Sequence, residues 1–290
     1  MSERTWTVVE LLRWIEGHFR ENGLASPRLD AECLLAVALG LERIELYLQH
    51  DKPVMETERA ALRGLVRRRV RERVPVALLT GRKEFWSLAL DVTPDVLVPR
   101  PETETLVEVG LGFLPDREGE YRILDVGTGS GAVALALAHE RKKAQVLATD
   151  CSEAALAVAR GNAERLGLSD RVSFTAGHLL EPAVGRQFDL VVSNPPYLRS
   201  DEADSLAPEL AHEPTQALFA GPKGTECLEP LVAGVHDLLA TSAGFAVELA
   251  PEQADHVASL CRAAGLAQTR IVPDLAGRPR VVAARRTEAL

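Results

Sequence analysis

The alternation of short apolar runs with helical patterns between residues 121 and 284 constrains the fold of this chain most strongly. Short apolar runs bounded by turn residues predict buried strands, whereas longer runs with 3.6-residue periodicity predict helices. Such an alternation is typical of an α/β fold, in which helices cover both faces of a mostly parallel sheet. Seven strands are predicted, at Tyr121–Val126, Gln145–Thr149, Val172–Ala176, Asp189–Ser193, Gly244–Leu249, Gln268–Val272 and Arg280–Ala284. Four helices are predicted between them, at Ala132–His139, Glu153–Leu166, Gly224–Leu239 and Pro251–Ala264.

Residues 1–80 carry a different pattern, which is helical throughout. Apolar residues recur at helical spacing after Thr7, and the pattern resumes at Pro27–Leu39 and at Glu56–Val74. Residues 81–98 alternate loosely and contain turn residues, which indicates a short β-hairpin. The sequence therefore predicts a helical domain at 1–80, a β-hairpin linker at 81–98 and an α/β domain at 99–290.

The third predicted helix contains a basic run, Arg67–Arg73, which includes Glu72. One interpretation is a solvated helix face on which Glu72 relieves the repulsion between the arginines. The other is a docking patch for an acidic protein or for RNA. The sequence leaves both interpretations open.

Charge and cysteine content narrow the classes of function. The 290 residues carry a formal net charge of -9, which argues against broad binding to a phosphate backbone but leaves a local basic patch possible. No Cys-x-x-Cys pair or His cluster is present, so we expect reduced cysteines and neither a disulfide framework nor a metal site. Met1–Trp6 begins no signal peptide, and no apolar run approaches the roughly 20 residues of a membrane helix. A cytoplasmic protein is therefore expected.

A glycine-rich turn follows the first predicted strand of the α/β domain, in the segment Ile123–Gly131. Glycines at 127, 129 and 131 allow a tight turn and let a ligand approach where a side chain would collide. Asp150 ends the next strand, where a carboxylate can accept both hydroxyls of a ribose. These features predict an adenosine-containing ligand, and the alternative is a tight strand–helix turn that binds nothing.

The motif Asn194-Pro195-Pro196-Tyr197, called here the Asn-Pro-Pro-Tyr motif, follows the apolar run Phe188–Val192. Each proline lacks an N–H and favours an extended residue before it, so the carbonyls of Asn194 and Pro195 should lie outside any β-ladder. The Asn194 side-chain oxygen and a neighbouring carbonyl can accept the N–H hydrogens of a planar nitrogen group. Tyr197 can stack on the flat face of that group. The alternatives are a proline-rich turn and, for Tyr197, an aromatic residue of the core.

The glycine-rich turn by itself does not decide between two adenosine ligands, because Gly127-x-Gly129-x-x-Ala132 also fits the loose dinucleotide fingerprint. Three features favour S-adenosylmethionine over NAD. Asp125 could hold the amino group of a methionine moiety, and the last two strands are expected to pair through the turn Asp274–Gly277. The Asn-Pro-Pro-Tyr motif is suited to positioning a nitrogen nucleophile and not a hydride donor.

Over nearly its whole length the chain resembles the release-factor glutamine methyltransferases of the PrmC/HemK type. The resemblance rests on Val96–Glu104 (Val-Leu-Val-Pro-Arg-Pro-Glu-Thr-Glu), Gly127–Gly131, Asp150, Asn194–Tyr197, His212–Leu218 and Asp274–Arg278. The Asn-Pro-Pro-Tyr motif alone is shared with adenine-N6 methyltransferases of nucleic acids. The Pro-Arg-Pro-Glu-Thr-Glu segment and the helical N-terminal domain narrow the resemblance to one family.

The resemblance implies a Rossmann-like methyltransferase sheet of seven strands, with a substrate-docking helical domain before it. It implies that S-adenosylmethionine is the methyl donor and that S-adenosylhomocysteine is a product. The residues expected to bind the donor are Asp125, Gly127, Thr128, Gly129, Ser130, Gly131, Asp150, His178 and Asn194. Asn194, Pro195, Pro196 and Tyr197 are expected to hold the glutamine of the Gly-Gly-Gln loop of class 1 peptide chain release factors and to carry the catalysis. Arg100 is either a solvated charge or a brace for a carboxylate or carbonyl near the cleft, and we count it with the substrate-binding residues.

The segment Ala176-Gly177-His178 departs from the family, because many relatives have an acidic residue and then an aromatic one at the adenine edge. His178 could still cover the adenine ring, but Gly177 cannot supply a carboxylate. A monomer that binds no nucleic acid stably and no membrane is expected. The alternative functions are glutamine methylation of another protein such as a ribosomal protein, adenine-N6 methylation of DNA or RNA, a non-catalytic S-adenosylmethionine sensor and an NAD-dependent oxidoreductase.

Overall fold

The computed structural model describes residues 5–287 and divides the chain into two compact units. The helical unit comprises the chain up to Arg82 together with Pro208–His212, and the sheet unit comprises Lys83–Ala207 and everything from Glu213 onward. Residues 1–4 and 288–290, at the outer ends of the predicted domains 1–80 and 99–290, lie outside the described residues. Residues 1–4 belong to the segment Met1–Trp6 that was interpreted as lacking a signal peptide. None of the described helices is long and apolar enough to cross a membrane.

The helical unit is built from short amphipathic helices around its own apolar core. Thr7 caps the first helix in a capping box, in which Glu10 accepts a hydrogen bond from the Thr7 backbone N–H at 2.9 Å. Two helices that the sequence analysis missed have six and five residues, which is too short for a periodic pattern to stand out. The described helices are α1 (Val8–Glu21), α2 (Pro27–Leu39), α3 (Arg43–Leu48), α4 (Glu56–Arg71) and α5 (Val76–Thr80).

One arginine of the basic run on α4 belongs to the interior of the helical unit. Arg69 is buried and forms ion pairs with Asp30 at 2.8 Å and with Glu209 at 2.9 Å. Arg73 also contacts Glu209, at 2.9 Å. Neither interpretation of the run, a solvated face or a docking patch, describes Arg69, because its charge holds two parts of this unit together. Arg67, Arg68 and Arg71 are exposed, so the two interpretations apply to them.

We expect Arg69→Ala to lower the free energy of unfolding by about 3–5 kcal/mol, the usual cost of removing one partner from a buried ion pair. The substitution leaves the buried Asp30 carboxylate without its cation. Urea denaturation of the full chain measures the change, and Arg71→Ala on the exposed side of the same helix serves as the control. Equal losses in both variants would contradict a structural role for Arg69.

A hairpin, β1 (Arg82–Phe85) and β2 (Leu88–Asp91), lies within the predicted linker, and all of it except Arg82 belongs to the sheet unit. Its turn residues Trp86 and Ser87 have φ values of 51° and 59°, which is the left-handed conformation that tight hairpins require. Six helices follow: α6 (Glu104–Phe113), α7 (Ala132–Glu140), α8 (Glu153–Arg165), α9 (Thr215–Leu218), α10 (Leu228–Val235) and α11 (Ala254–Ala263). The other described strands are β3 (Arg122–Val126), β4 (Gln145–Asp150), β5 (Val172–Ala176), β6 (Phe188–Ser193), β7 (Leu198–Arg199), β8 (Phe219–Gly221), β9 (Leu239–Glu248), β10 (Leu266–Pro273) and β11 (Pro279–Arg286).

Seven of these strands form one sheet in the order β10-β11-β9-β6-β3-β4-β5. The strands β9, β6, β3, β4 and β5 run parallel, and β11 is antiparallel to both of its neighbours. Successive residues of β6 belong to different apolar clusters, with Leu190 and Val192 in one and Val191 in the other. Both faces are therefore buried, and the predicted seven-stranded α/β fold with its closing strand pair is confirmed.

The path of the chain through this sheet fixes the place of a ligand site. From β3 the chain proceeds outward through β4 to β5 and then returns to β6 on the other side of β3. Because the connections leave β3 and β6 in opposite directions, a crevice opens beyond the carboxyl ends of these two strands. The glycine-rich turn follows β3 and the Asn-Pro-Pro-Tyr motif follows β6, so the sheet brings the two motifs to one edge.

Candidate active site

A cavity of about 300 Å³ lies within the sheet unit at the carboxyl ends of β3, β4 and β6. Its lining brings together most of the residues that the sequence predicted for donor and substrate binding. Those that line it are Arg100, Asp125, Gly127, Thr128, Gly129, Ser130, Asp150, His178, Asn194, Pro195 and Pro196. Gly131 and Tyr197 were predicted as well but are not among the residues that line this cavity.

The glycine-rich turn is held by the end of the neighbouring strand. The backbone N–H groups of Gly127 and Thr128 both donate to the Thr149 carbonyl, at 2.8 and 2.9 Å. Gly129 has a φ of 55°, which favours glycine, and its N–H donates to the Asp150 carboxylate at 2.9 Å. Gly131 serves the packing of the turn, because a Cβ there would lie 3.0 Å from the Leu135 side chain.

Asp150 ends β4 with both carboxylate oxygens already oriented. One oxygen accepts the Gly129 N–H and the other accepts the Ser152 N–H, each at 2.9 Å. A carboxylate oxygen can accept a second hydrogen bond, so both oxygens keep capacity for a ligand. The carboxylate therefore forms a fixed acceptor pair in the wall of the cavity, as the recognition of two ribose hydroxyls requires.

Asp125 has a structural role that the sequence analysis missed. Its Oδ2 atom accepts the Thr128 hydroxyl at 2.7 Å and the Ala134 backbone N–H at 3.1 Å, so it connects the turn to the first turn of α7. The side chain is buried, and this burial raises the pKa of Asp125 to about 7, with the nearby charge of Asp150 adding to the effect. Binding of a donor ammonium group by Asp125 stays a prediction.

We expect Asp125→Asn to stabilise the ligand-free protein relative to the parent as the pH rises from 5 to 8. The raised folded-state pKa means that Asp125 contributes its full stability below about pH 4 and that this contribution is lost as the pH rises through 7. Both hydrogen bonds go to one oxygen, so an asparagine oxygen can keep them. Urea denaturation at both pH values should show a gap that widens by up to about 3 kcal/mol. A gap that is the same at pH 5 and pH 8 would mean that Asp125 ionises normally.

The Asn-Pro-Pro-Tyr motif lies just beyond the hydrogen-bonded part of β6. The last residue pairs of this strand are Ser193 with Val126 and with Val247, so the carbonyls of Asn194 and Pro195 follow the end of both ladders. The Asn194 side-chain Nδ2 atom donates to the Thr103 hydroxyl at 3.1 Å. Thr103 lies in the Pro-Arg-Pro-Glu-Thr-Glu segment and lines the cavity, a role that was not predicted from the sequence.

Tyr197, the last residue of the motif, is not among the residues that line the cavity. Its side chain packs against the apolar cluster that contains Val191, and burial raises the pKa of its phenol to about 12. Its backbone carbonyl accepts the Gln253 side-chain N–H at 3.0 Å. This is the placement of a core aromatic that supports the motif, and stacking on a substrate amide stays a prediction.

Arg100 braces a carboxylate of the chain itself. Its guanidinium donates to the buried Glu213 carboxylate, which also accepts the Val98 backbone N–H at 3.0 Å. Arg100 is thereby fixed in the cavity wall, as one of the two sequence interpretations expected. Contact between Arg100 and a substrate stays a prediction.

The departure at Gly177 has a steric cause in this chain. A Cβ at position 177 would lie 2.3 Å from the Pro182 ring, so the turn leaves no room for an acidic side chain there. The Gly177 N–H donates to the Asp150 carbonyl at 3.0 Å, and His178 lines the cavity beside it. His178 is therefore available to cover an adenine ring, and this role also stays a prediction.

Comparison with known protein families finds one match that begins in the helical unit and one that begins in the sheet unit. Residues 10–81 match the family described as PrmC N-terminal domain, and residues 107–224 match the family described as methyltransferase small domain. A methyltransferase structure from Pyrococcus furiosus is 19% identical and has a TM-score of 0.52. The match spans 69% of this chain and 90% of the Pyrococcus chain, and it supports the fold.

Two full-length relatives determine the family. A release factor glutamine methyltransferase of Rhodopirellula baltica is 43% identical and covers 97% of each chain. One of Geobacter sulfurreducens is 40% identical, again with 97% of each chain covered. The resemblance stated from the sequence is confirmed, and the chain belongs to the release factor glutamine methyltransferase family.

Proposed function

We propose that this chain transfers a methyl group from S-adenosylmethionine to the side-chain amide nitrogen, N5, of the glutamine in the Gly-Gly-Gln motif of class 1 peptide chain release factors. Family membership supports this activity. The observation that carries it is the placement of Asn194, Pro195 and Pro196 in the wall of the cavity that the glycine-rich turn and Asp150 also line. The motif supplies hydrogen-bond acceptors for an amide nitrogen next to acceptors for a nucleoside.

The cavity fits the methyl donor in the chemistry of its lining. Asp150 would hold the ribose hydroxyls, the glycine-rich turn and Asp125 would hold the methionine end, and His178 would cover the adenine. Bound S-adenosylmethionine supplies a methyl group that its sulfonium already activates. The chain therefore has to orient the nucleophile and does not have to create a leaving group.

An amide nitrogen is a weak nucleophile because its lone pair is shared with the carbonyl. The Asn194 side-chain oxygen and the Pro195 carbonyl would each accept one N–H hydrogen of the substrate amide and aim the nitrogen at the methyl group. Such orientation contributes up to about 7–11 kcal/mol in ideal cases. Each acceptor directed at the positive charge that develops on the nitrogen adds roughly 3 kcal/mol.

The proton needs no base from the motif. Tyr197 carries the titratable group of the motif, and its phenol, with a pKa raised to about 12, is neutral near pH 7 and does not serve as the base. The N-methylated, protonated amide is strongly acidic and would lose its proton to water after transfer.

The helical unit is the proposed docking domain for the release factor. Large apolar side chains are exposed on α1, α2, α3 and the segment before α4, where water contact is unfavourable. They are Trp14, Leu29, Val37, Ile44, Tyr47, Leu48 and Met55. The exposed arginines Arg67, Arg68 and Arg71 add positive charge to α4. A monomer acting in the cytoplasm stays a prediction.

The test is methyl transfer from labelled S-adenosylmethionine to a purified class 1 release factor. Parallel reactions contain its Gly-Gly-Gln→Gly-Gly-Ala variant, a ribosomal protein fraction and an unmethylated DNA duplex. Label on the unaltered release factor alone is the expected result. Label on the Gly-Gly-Ala variant would place the modification at another residue, and label on DNA or ribosomal protein would assign a different substrate.

A further inference from the structure

A buried carboxyl group lies at the end of β9, outside the set of residues that the proposed mechanism uses. Glu248 is only 1% exposed, and its Oε2 atom accepts no hydrogen bond from residues 5–287. The pKa of Glu248 is raised to about 7, mainly by burial and to a smaller extent by Glu102, while Thr103, Arg280 and Arg100 act to lower it. A buried carboxyl with a vacant oxygen is costly, so its presence needs an explanation beyond packing.

Thr103 connects this carboxyl to the motif. Its hydroxyl oxygen accepts the Asn194 Nδ2–H at 3.1 Å, and a hydrogen bond from the same hydroxyl is among the causes that lower the pKa of Glu248. Thr103 is itself buried, at the end of a short helical turn that precedes α6. The side chains of Glu248, Thr103 and Asn194 come from separate segments and form a series of polar contacts that ends at the cavity.

The chemistry of the three groups determines which of them donates and which accepts in each hydrogen bond. Above its pKa of about 7 Glu248 is ionised and can only accept, so at pH 8, the pH of the measurements below, the single hydroxyl hydrogen of Thr103 must go to it. The Thr103 oxygen can then only accept from Asn194, which requires the NH₂ end of that amide to face Thr103. The Oδ1 end is left to face the ligand. An amide rotated by half a turn would direct its NH₂ group at the substrate NH₂ group, and no hydrogen bond could form.

We propose that Glu248 and Thr103 are positioning residues that fix the orientation of the Asn194 amide, so that its oxygen accepts from the substrate nitrogen. The effect that these residues should have on turnover rests on the proposed function. The orientation itself is a property of the folded chain and can be measured without any methyl transfer.

The first measurement therefore observes Asn194 directly. The chain has three asparagines, Asn22, Asn162 and Asn194, so asparagine-selective ¹⁵N labelling gives three side-chain NH₂ signals that single substitutions can assign. Thr103→Val and Glu248→Gln should each shift the Asn194 signals, because the valine removes the acceptor and the glutamine can reverse the direction of the contacts. Thr105→Val alters a different buried threonine, which lies in α6, and should leave the Asn194 signals in place. Unmoved Asn194 signals in both test variants would overturn the proposal even if the protein transferred no methyl group.

The second measurement is turnover on the substrate that the parent protein methylates. We expect Thr103→Val and Glu248→Gln to lower kcat by at least about 10-fold, while the Kd for S-adenosylmethionine changes less than about twofold, since a lost oriented acceptor affects the transition state. Thr103→Ser keeps the hydroxyl and should restore most of kcat, and Thr105→Val should match the parent. Equal losses in the serine and valine variants, or parental kcat in Glu248→Gln, would overturn the proposal. An inactive parent would instead count against the proposed function.

Discussion

Replacement of Asn194 with alanine is expected to lower kcat for methyl transfer by about 100- to 1000-fold, which is the usual cost of removing one oriented group that stabilises a transition state. The side-chain oxygen is one of two acceptors that would hold the substrate nitrogen. Its removal lets the amide rotate and leaves the developing positive charge with one partner fewer. Neither proline nor the Tyr197 ring can replace a side-chain acceptor at this point.

The fold should survive this substitution. Asn194 is partly exposed to the cavity and, within residues 5–287, its side chain makes one hydrogen bond, to Thr103. A single hydrogen bond contributes about 0.5–1.5 kcal/mol to stability, so the melting temperature should change by only a few degrees. The control is Asn22→Ala, which makes the same chemical change at an exposed position of the helical unit.

Two results would contradict this assignment of Asn194, and they have different meanings. Parental turnover in Asn194→Ala would eliminate the proposed mechanism. A large rise in the Kd for S-adenosylmethionine, measured by calorimetry, with kcat preserved at saturation would make Asn194 a donor-binding residue alone. Asn194 is predicted from the sequence to have both roles, and this pair of measurements separates them.

The parts of the site that follow directly from strand ends were predictable from the sequence. The glycine-rich turn after β3, Asp150 at the end of β4 and the motif after β6 are local patterns, and a parallel sheet places all three strand ends at one edge. The strands themselves were predictable because a buried parallel strand is a continuous apolar run.

The contacts that orient these groups were not predictable in the same way. Thr103 and Asn194 are 91 positions apart, and Arg69 and Glu209 are 140 positions apart. No local periodicity encodes such pairs. Asp125 shows that even local contacts can escape prediction. The sequence indicated an acidic residue at the turn but did not indicate that one of its oxygens already accepts hydrogen bonds from Thr128 and Ala134.

A substitution of Asp150 should weaken binding of the methyl donor, whereas a substitution of Asn194 should lower kcat. We expect Asp150→Ala to raise the Kd for S-adenosylmethionine by at least about 100-fold, since each hydrogen bond to a charged group contributes about 1.5–3 kcal/mol and two ribose hydroxyls would lose their acceptor. The carboxylate also accepts the Gly129 and Ser152 N–H groups, so its loss loosens the turn that shapes the cavity.

At saturating donor, kcat of Asp150→Ala should stay within a few-fold of the parent, because Asp150 is expected to hold the ribose and not to orient the nucleophile. Calorimetry gives the Kd, and the methyl-transfer assay gives kcat. Asp170→Ala removes an exposed carboxylate of the same unit and should change neither constant. An unchanged Kd in Asp150→Ala would mean that other groups hold the ribose. A kcat that falls as far as in Asn194→Ala would mean that donor binding and nucleophile orientation are not separate tasks in this cavity.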